Sequence, residues 1–214
     1  MTLLPVSRYI MKTLRISAFL LLAFCSCGEN ARKDKTDPAA VQLNNQSMTL
    51  VSFNKNPDSA RKAISLLDNA TTIDSNYFLG HYNKLMFYNQ LRQFDKAVVT
   101  VNRLLRLRPA AHDLYLTGGL LYERLGDTIL SKQYFERSLA ICNNVLDTMS
   151  TENGDYEMLV GNKAVNLIML GNQAKANELL KKVYNRQTRE DQKKWTASLM
   201  NKSKKELLQL LASD

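Results

Sequence analysis

The chain has 214 residues, 45% of them hydrophobic, which is enough for one structured region with an ordinary core or a short helical array. Its formal net charge is +9, and from Lys181 onward nine basic residues face four acidic ones. Because only Tyr184 and Trp195 are interleaved with these basic residues, the charge indicates a solvated helix face rather than a nucleic-acid partner.

The N-terminal segment, 1–26, has the pattern of a secretory signal. From Met11 a short basic start is followed by an apolar run of about ten residues and then by small residues ahead of Cys27. A stable membrane-spanning helix needs about 20 apolar residues, so we expect this segment to be cleaved. The part of the chain before Met11 adds nothing that a signal needs, and we expect translation to start at Met11.

The end of this segment, Phe24-Cys25-Ser26-Cys27, resembles the lipobox of bacterial lipoproteins. In that family a small residue, here Ser26, precedes the cysteine that receives the lipid, and bulky Phe24 departs from the more usual leucine. The resemblance implies that Cys27 carries a lipid and anchors the protein at the bacterial cell envelope. The anchor would be in the outer membrane, on either its periplasmic or its surface face. The alternative is a plain secreted protein.

Cleavage before Cys27 leaves Cys142 as the one other cysteine, so no intramolecular disulfide is expected. Cys142 falls at the end of a predicted helix, where it is most simply a small buried hydrophobe. Residues 27–38 are polar, charged and without apolar periodicity, and we expect them to form a flexible tether between the lipid and the fold.

Two copies of one pattern lie end to end between Tyr77 and Asn143, at a constant spacing of about 34 residues. The equivalent pairs are Tyr88 and Tyr122, Leu91 and Leu125, Ala97 and Ser131, Val101 and Phe135, Leu105 and Leu139, and Leu107 and Ile141. This period, with an aromatic in a first helix, small residues in a second and Pro109 at the join, is typical of stacked helical hairpins. These residues make the chain resemble the tetratricopeptide-repeat family.

The pattern extends in both directions. Upstream, a helix over about 39–54 and a turn at 56–58 come before a second helix, in which Ala63, Leu67 and Ala70 precede their equivalents by the same spacing. In the middle, helices are predicted over about 77–91 and 94–107. Downstream, a segment over about 146–156 breaks the period, and a fourth hairpin follows at a wider spacing.

The resemblance implies an all-α fold, a right-handed superhelical solenoid of about four antiparallel helical hairpins over residues 39–188. Trp195, Leu199 and Met200 on one helix, and the capping box Ser203 to Glu206 at the start of another, predict that residues 189–214 form C-terminal capping helices. No strand-like alternation competes with this interpretation.

No residue set for catalysis or metal binding emerges from the sequence. His81 and His112 are the only histidines, and no spacing typical of metal ligands occurs outside the signal segment. Gly118-Gly119 lacks the Gly-Lys-Ser pattern of a phosphate-binding loop. We expect both histidines to be packing or surface residues, and we expect no enzymatic activity, no metal and no cofactor.

The resemblance implies a non-catalytic scaffold whose first helices line a groove for an extended peptide or a helix of a protein partner. The family's groove positions correspond here to Tyr82, Met86, Asn89, Leu116, Leu120, Glu123, Met158, Gly161 and Val165. The family's Lys and Asn pattern for a terminal carboxylate is absent, so a mainly apolar groove is expected. Alternatively, the C-terminal helices or a second copy cover these residues, and self-association stays open.

A different class of function is also open. The solenoid of a carbohydrate-binding envelope lipoprotein would use Tyr77, Tyr82 and Tyr115 to bind glycan, although no convergent set of acidic residues accompanies them. Related lipoproteins with such repeats serve machines that assemble outer-membrane proteins or pili, and the resemblance implies an accessory role of that kind.

Three short segments resemble the Asp-Ser/Thr-apolar sequence used for O-glycosylation of exported proteins in one group of Gram-negative bacteria. Their hydroxyl residues are Ser59, Thr128 and Thr148, all in predicted turns. The same residue pairs are ordinary turn and helix-cap sequences, so both interpretations stay open.

Overall fold

The computed structural model describes residues 36–53 and 56–211. The predicted signal segment, Cys27 and most of the tether lie outside the described residues, as do residues 212–214 at the predicted cap's end. Within the described residues the chain is helical and contains no strand, which confirms the all-α prediction. The helices are α1 Pro38–Met48, α2 Pro57–Ile73, α3 Phe78–Gln90, α4 Phe94–Leu107, α5 His112–Leu125, α6 Thr128–Leu146, α7 Tyr156–Met169, α8 Gln173–Arg186, α9 Glu190–Leu199 and α10 Lys204–Leu210.

The described helices belong to two compact units. The N-terminal unit ends at Asn143 and the C-terminal unit begins at Asn144. Helices α1 to α4, together with α5 and most of α6, form three successive hairpins in the first unit, and α7 pairs with α8 in the second. The predicted number of four hairpins is therefore confirmed. None of the helices in the described part is both long and apolar enough to cross a membrane.

The first helix differs from the prediction of one helix over 39–54. It begins at Pro38, where the Asp37 side chain accepts a hydrogen bond from the Ala39 amide, and the α-helix ends at Met48. A 3₁₀ segment, Thr49–Phe53, follows. The Thr49 hydroxyl donates to the Gln46 carbonyl at 2.7 Å, and such local bonds favour a tighter turn over a continued α-helix.

The second helices of the N-terminal unit bury the same three positions in each repeat. These positions are Ala63, Leu67 and Ala70 in α2, Ala97, Val101 and Leu104 in α4, and Ser131, Phe135 and Ser138 in α6, all buried. The constant spacing in the sequence therefore reflects one packing environment repeated three times. The corresponding residues of α8, Ala176, Leu180 and Val183, are buried in the C-terminal unit.

Two glycines in α5 let α6 approach closely. A Cβ atom added at Gly119 would lie 2.6–2.9 Å from ring atoms of buried Phe135, and one at Gly118 would meet the Tyr134 ring. Because carbon atoms in contact need about 3.5 Å or more, neither position has room for a side chain. Helix α6 therefore packs directly against α5 at Gly119.

Side-chain hydrogen bonds connect the end of the C-terminal unit to α8. They involve one residue of α8 and the residue that directly follows it. The Thr196 hydroxyl donates to the Gln187 side chain at 2.9 Å in a buried position, and Asn177 accepts a hydrogen bond from the Asn201 amide at 2.8 Å. Helix α9 packs on α8, and α10 contacts α7. The predicted capping box is confirmed, since the Glu206 amide donates to the Ser203 hydroxyl and the Glu206 carboxylate accepts from the Ser203 amide.

We predict opposite effects of alanine at two helical glycines. Gly119→Ala lowers the free energy of unfolding by about 1–2 kcal/mol, because the overlap with Phe135 outweighs the gain in helix propensity of about 1 kcal/mol. Gly161→Ala is the matched control in α7, where an added Cβ meets nothing within 4 Å, and it raises the free energy of unfolding by up to about 1 kcal/mol. Urea unfolding monitored by circular dichroism measures both values, and equal effects would contradict the prediction.

Candidate functional site

Hydrogen bonds join the first helices of the N-terminal unit side by side. The Asn83 amide group of α3 donates to Asn44 Oδ1 of α1 at 2.7 Å in the buried interior. The Arg124 guanidinium of α5 donates to Asn89 Oδ1 of α3 at 2.9 Å. We call the surface that α3 and α5 present at Tyr82, Met86, Asn89 and Glu123 the first-helix face.

The predicted groove residues differ in exposure. Tyr82, Met86, Asn89 and Glu123 in the N-terminal unit and Met158 and Gly161 in the C-terminal unit are partly buried, whereas Leu116, Leu120 and Val165 are buried. Leu116 and Leu120 are only 3% and 6% exposed, so they offer a partner almost no surface in this conformation. The accessible part of the first-helix face is therefore mixed in polarity, in contrast to the mainly apolar groove predicted.

Two of the partly buried residues have fixed surroundings. The Tyr82 ring stacks on Phe78 with 6.1 Å between centroids, and the Arg108 guanidinium carbon lies 3.7 Å from the Phe78 centroid. Burial, helped by the charge of Asp113, raises the pKa of the Tyr82 hydroxyl above its ordinary value, so the side chain is neutral at physiological pH. Glu123 accepts a 2.6 Å hydrogen bond from the Ser131 hydroxyl.

The tyrosines considered for glycan binding are used in packing. Tyr77 is only 7% exposed, which leaves no open ring face for a sugar. The Tyr115 ring centroid lies 5.6 Å from that of Tyr134, whose hydroxyl donates to Asn102 of α4. Burial and the neighbouring tyrosines raise the pKa of Tyr134 to about 12, so it acts as a hydrogen-bond donor and not as a charged group.

Sequence reasoning missed a cationic cluster at the end of the first-helix face. The guanidinium carbons of Arg92 and Arg124 lie 5.9 and 5.0 Å from the centroid of the Phe94 ring. Burial and the charge of Arg92 lower the pKa of Arg124 from its ordinary value. The sequence did hold one signal, because Arg92 takes the place that Gly126 has in the next repeat, at a turn position where glycine is expected.

The histidines and Cys142 lie in packed surroundings. His112 and Cys142 are buried, as predicted for the cysteine, and the His81 ring nitrogen Nε2 lies 2.9 Å from the Ser75 carbonyl oxygen. The His112 Nδ1 atom is buried without a hydrogen-bond partner among the described residues. Across that same part of the chain, no group of three or more His, Cys, Asp or Glu residues is placed to hold a metal ion.

The three candidate glycosylation residues occupy different environments. Thr128 and Thr148 are exposed, whereas Ser59 is partly buried. Thr148 lies in a turn as predicted, but Ser59 and Thr128 lie in the first turns of α2 and α6, so the turn prediction is wrong for these two. Side chains of Asn56 and Asp127 accept hydrogen bonds from the amides of Asp58 and Leu130, which makes these segments helix starts.

Comparisons with known proteins agree with this architecture. Residues 112–145, which cover α5 and nearly all of α6, match the profile of the tetratricopeptide repeat. No curated protein sequence matches the chain.

Solved structures with a similar fold include the following two. One is PilW, described as a widely conserved type IV pilus biogenesis factor, with 19% identity and a TM-score of 0.52 over 71% of this chain and 64% of PilW. The chain thus spans less than two thirds of the length of PilW. The other is a Podosopora anserina protein with nearly identical tetratricopeptide-like repeats, with 14% identity and a TM-score of 0.56 over 83% of this chain and 94% of that protein.

The hairpins and their repeated packing positions define a helical-repeat protein. Its third hairpin matches the tetratricopeptide-repeat profile, and its fold is similar to that of a solved protein with tetratricopeptide-like repeats.

We predict that the histidines make the fold less stable in mild acid. Burial lowers the pKa of His112 despite Asp113 nearby, and burial also lowers the pKa of His81. Below about pH 6.5 the unfolded chain therefore binds more protons than the folded chain, and the free energy of unfolding falls as the pH decreases toward 5. Urea unfolding at pH 5 to 8 measures this slope, which should become shallower in His112→Leu and shallower again with His81→Gln added. Identical slopes in the three proteins would contradict the assignment to these histidines.

Proposed function

We propose that the protein is a non-catalytic scaffold that holds a protein or peptide partner on the first-helix face of the N-terminal unit. The observation that carries this proposal is the row of partly exposed side chains on two adjacent first helices, with Tyr82, Met86 and Asn89 on α3 and Glu123 on α5. Tetratricopeptide repeats commonly bind extended segments on this side of the hairpins. Tyr82 and Met86 supply apolar surface, and Asn89 and Glu123 supply polar groups that set the register of a backbone.

The proposal places the scaffold at the bacterial cell envelope, attached through a lipid on Cys27. The lipobox-like sequence before Cys27 supports this attachment, and a polar tether over residues 27–38 would let the repeats reach a partner away from the membrane. The pilus biogenesis role stated for PilW supports an assembly role for this chain, although the likeness to PilW is one of fold.

We predict that photo-crosslinking distinguishes the first-helix face from the opposite helices. A photoreactive phenylalanine at Met86 should form a discrete crosslinked product in the native host, because this position would contact the partner. The matched control is the same amino acid at Lys132, an exposed position on the second helix α6 of the same unit. Equal products from both positions, or none from Met86 in a correctly folded variant, would refute the proposed face.

We predict that Cys27→Ser releases the protein from the membrane. Membrane attachment through one residue is lost with that residue, whereas Cys142→Ser removes a buried thiol and should leave attachment unchanged. Fractionation of host cells measures the distribution, and intact mass of the wild-type protein should equal the chain from Cys27 plus lipid. A Cys27→Ser variant that stays in the membrane fraction would argue for another mode of attachment.

A further inference from the structure

Two arginines of the N-terminal unit share one aromatic ring. The guanidinium carbon of Arg92 lies 5.9 Å and that of Arg124 lies 5.0 Å from the centroid of Phe94. Each cation is attracted by the π electrons of the ring, but the two like charges repel each other. A bound anion would relieve this repulsion and would accept hydrogen bonds from two planar donor groups.

The two guanidinium groups are held in different ways. Arg124 is partly buried and donates to Asn89 Oδ1 at 2.9 Å, so its side chain is fixed against the first-helix face. Arg92 is exposed and takes part in no ion pair within the residues that the structure describes. One arginine is thus positioned in advance, and the other can close on a ligand from solvent.

Arg92 has a backbone conformation that favours glycine. Its φ is 56°, and the residues at the equivalent turns after α5 and α7 are Gly126 with φ 80° and Gly171 with φ 82°. An arginine is strained in this region because its Cβ approaches the backbone, whereas glycine is not. The geometry of the turn therefore does not account for the arginine, and strain of this kind points to a role for the side chain.

Apolar side chains lie exposed directly beyond Arg124. Leu125 is 46% exposed and Ile129 is 72% exposed, and the two flank the turn between α5 and α6. Exposed apolar groups that follow one of the paired cations in the sequence fit a ligand that carries a carboxylate next to an apolar side chain. A peptide segment with Glu or Asp followed by a large apolar residue has this chemistry.

We propose that Arg92 and Arg124 bind an acidic side chain of a partner peptide, and that Leu125 and Ile129 contact the apolar residue that follows it. This inference rests on the proposed function, because it names the class of peptide that the scaffold holds. It extends the first-helix face past Asn89 to the turns that end α3 and α5.

The test uses the full chain, purified in detergent, and two fluorescein-labelled peptides with blocked ends. One peptide contains Glu-Leu-Glu-Leu between Gly-Ser segments, and the other contains Gln-Leu-Gln-Leu. Fluorescence anisotropy should show at least about tenfold tighter binding of the acidic peptide, as expected for a charge-assisted hydrogen-bonded pair. Arg124→Gln should remove most of this preference.

Arg92→Gly makes the test independent of folding defects. Glycine relieves the positive φ, so the thermal midpoint should stay equal or rise while the affinity for the acidic peptide falls about tenfold. Arg137→Gln is the matched control, because Arg137 is exposed on α6 of the same unit and the variant loses the same charge. This control should bind the acidic peptide within about twofold of the wild type.

Three outcomes would overturn the inference. They are wild-type affinity in Arg92→Gly and Arg124→Gln, an equal loss in Arg137→Gln, and binding of phosphatidylglycerol vesicles in place of the peptide with the same dependence on the two arginines. Crosslinking from Met86 in the Arg92→Gly background separates this inference from the proposed function. An undiminished crosslink together with unchanged peptide affinity would leave the scaffold proposal standing and remove only the acidic-peptide assignment.

Discussion

The close approach of two helices within each hairpin is the constraint on which the rest of the fold depends. Gly119 has no side chain because the Phe135 ring occupies the space, and Ala97 and Ser131 are fully buried at equivalent positions of α4 and α6. A hairpin of two helices cannot bury both apolar faces alone, so each must stack on its neighbours. The same small residues therefore recur wherever a second helix crosses a first, and a larger side chain at one of them would displace a whole helix.

The repeat period made these packing positions predictable, because residues at equivalent positions of successive repeats meet nearly the same environment. The bounds of α4 agree with the prediction because Phe94 and Leu107 are periodic apolar positions next to clear turn residues. The end of α1 did not follow from periodicity, since the hydroxyl of Thr49 bonds locally to a carbonyl. Exposure was the least predictable property, as Leu116 and Leu120 were expected to line an accessible groove and are buried.

In the candidate site too, features set by residues close in the sequence could be predicted, whereas contacts between distant residues could not. Tyr82, Met86 and Asn89 lie on the first-helix face because their positions follow from helical spacing alone. The Arg92, Phe94 and Arg124 cluster joins the end of α5 to the turn before α4 and the first residue of α4, and no short motif encodes that approach. Only the comparison of equivalent turn positions, with glycine at 126 and 171, marks residue 92 as unusual.

A paired cationic group changes how such a surface selects a partner. An apolar groove gains affinity from any apolar segment, and its discrimination between similar segments is modest. Two guanidinium groups at the end of the groove repel a basic segment. A neutral segment offers these groups no carboxylate to accept their hydrogen bonds, so it is disfavoured by unpaired donors as well as by the missing charge attraction. Because Asn89 and Phe94 hold the Arg124 side chain in place, little ordering is needed when a carboxylate binds. Selectivity on this protein would thus come from the turns between helices, while the helices themselves supply the packing that fixes those turns.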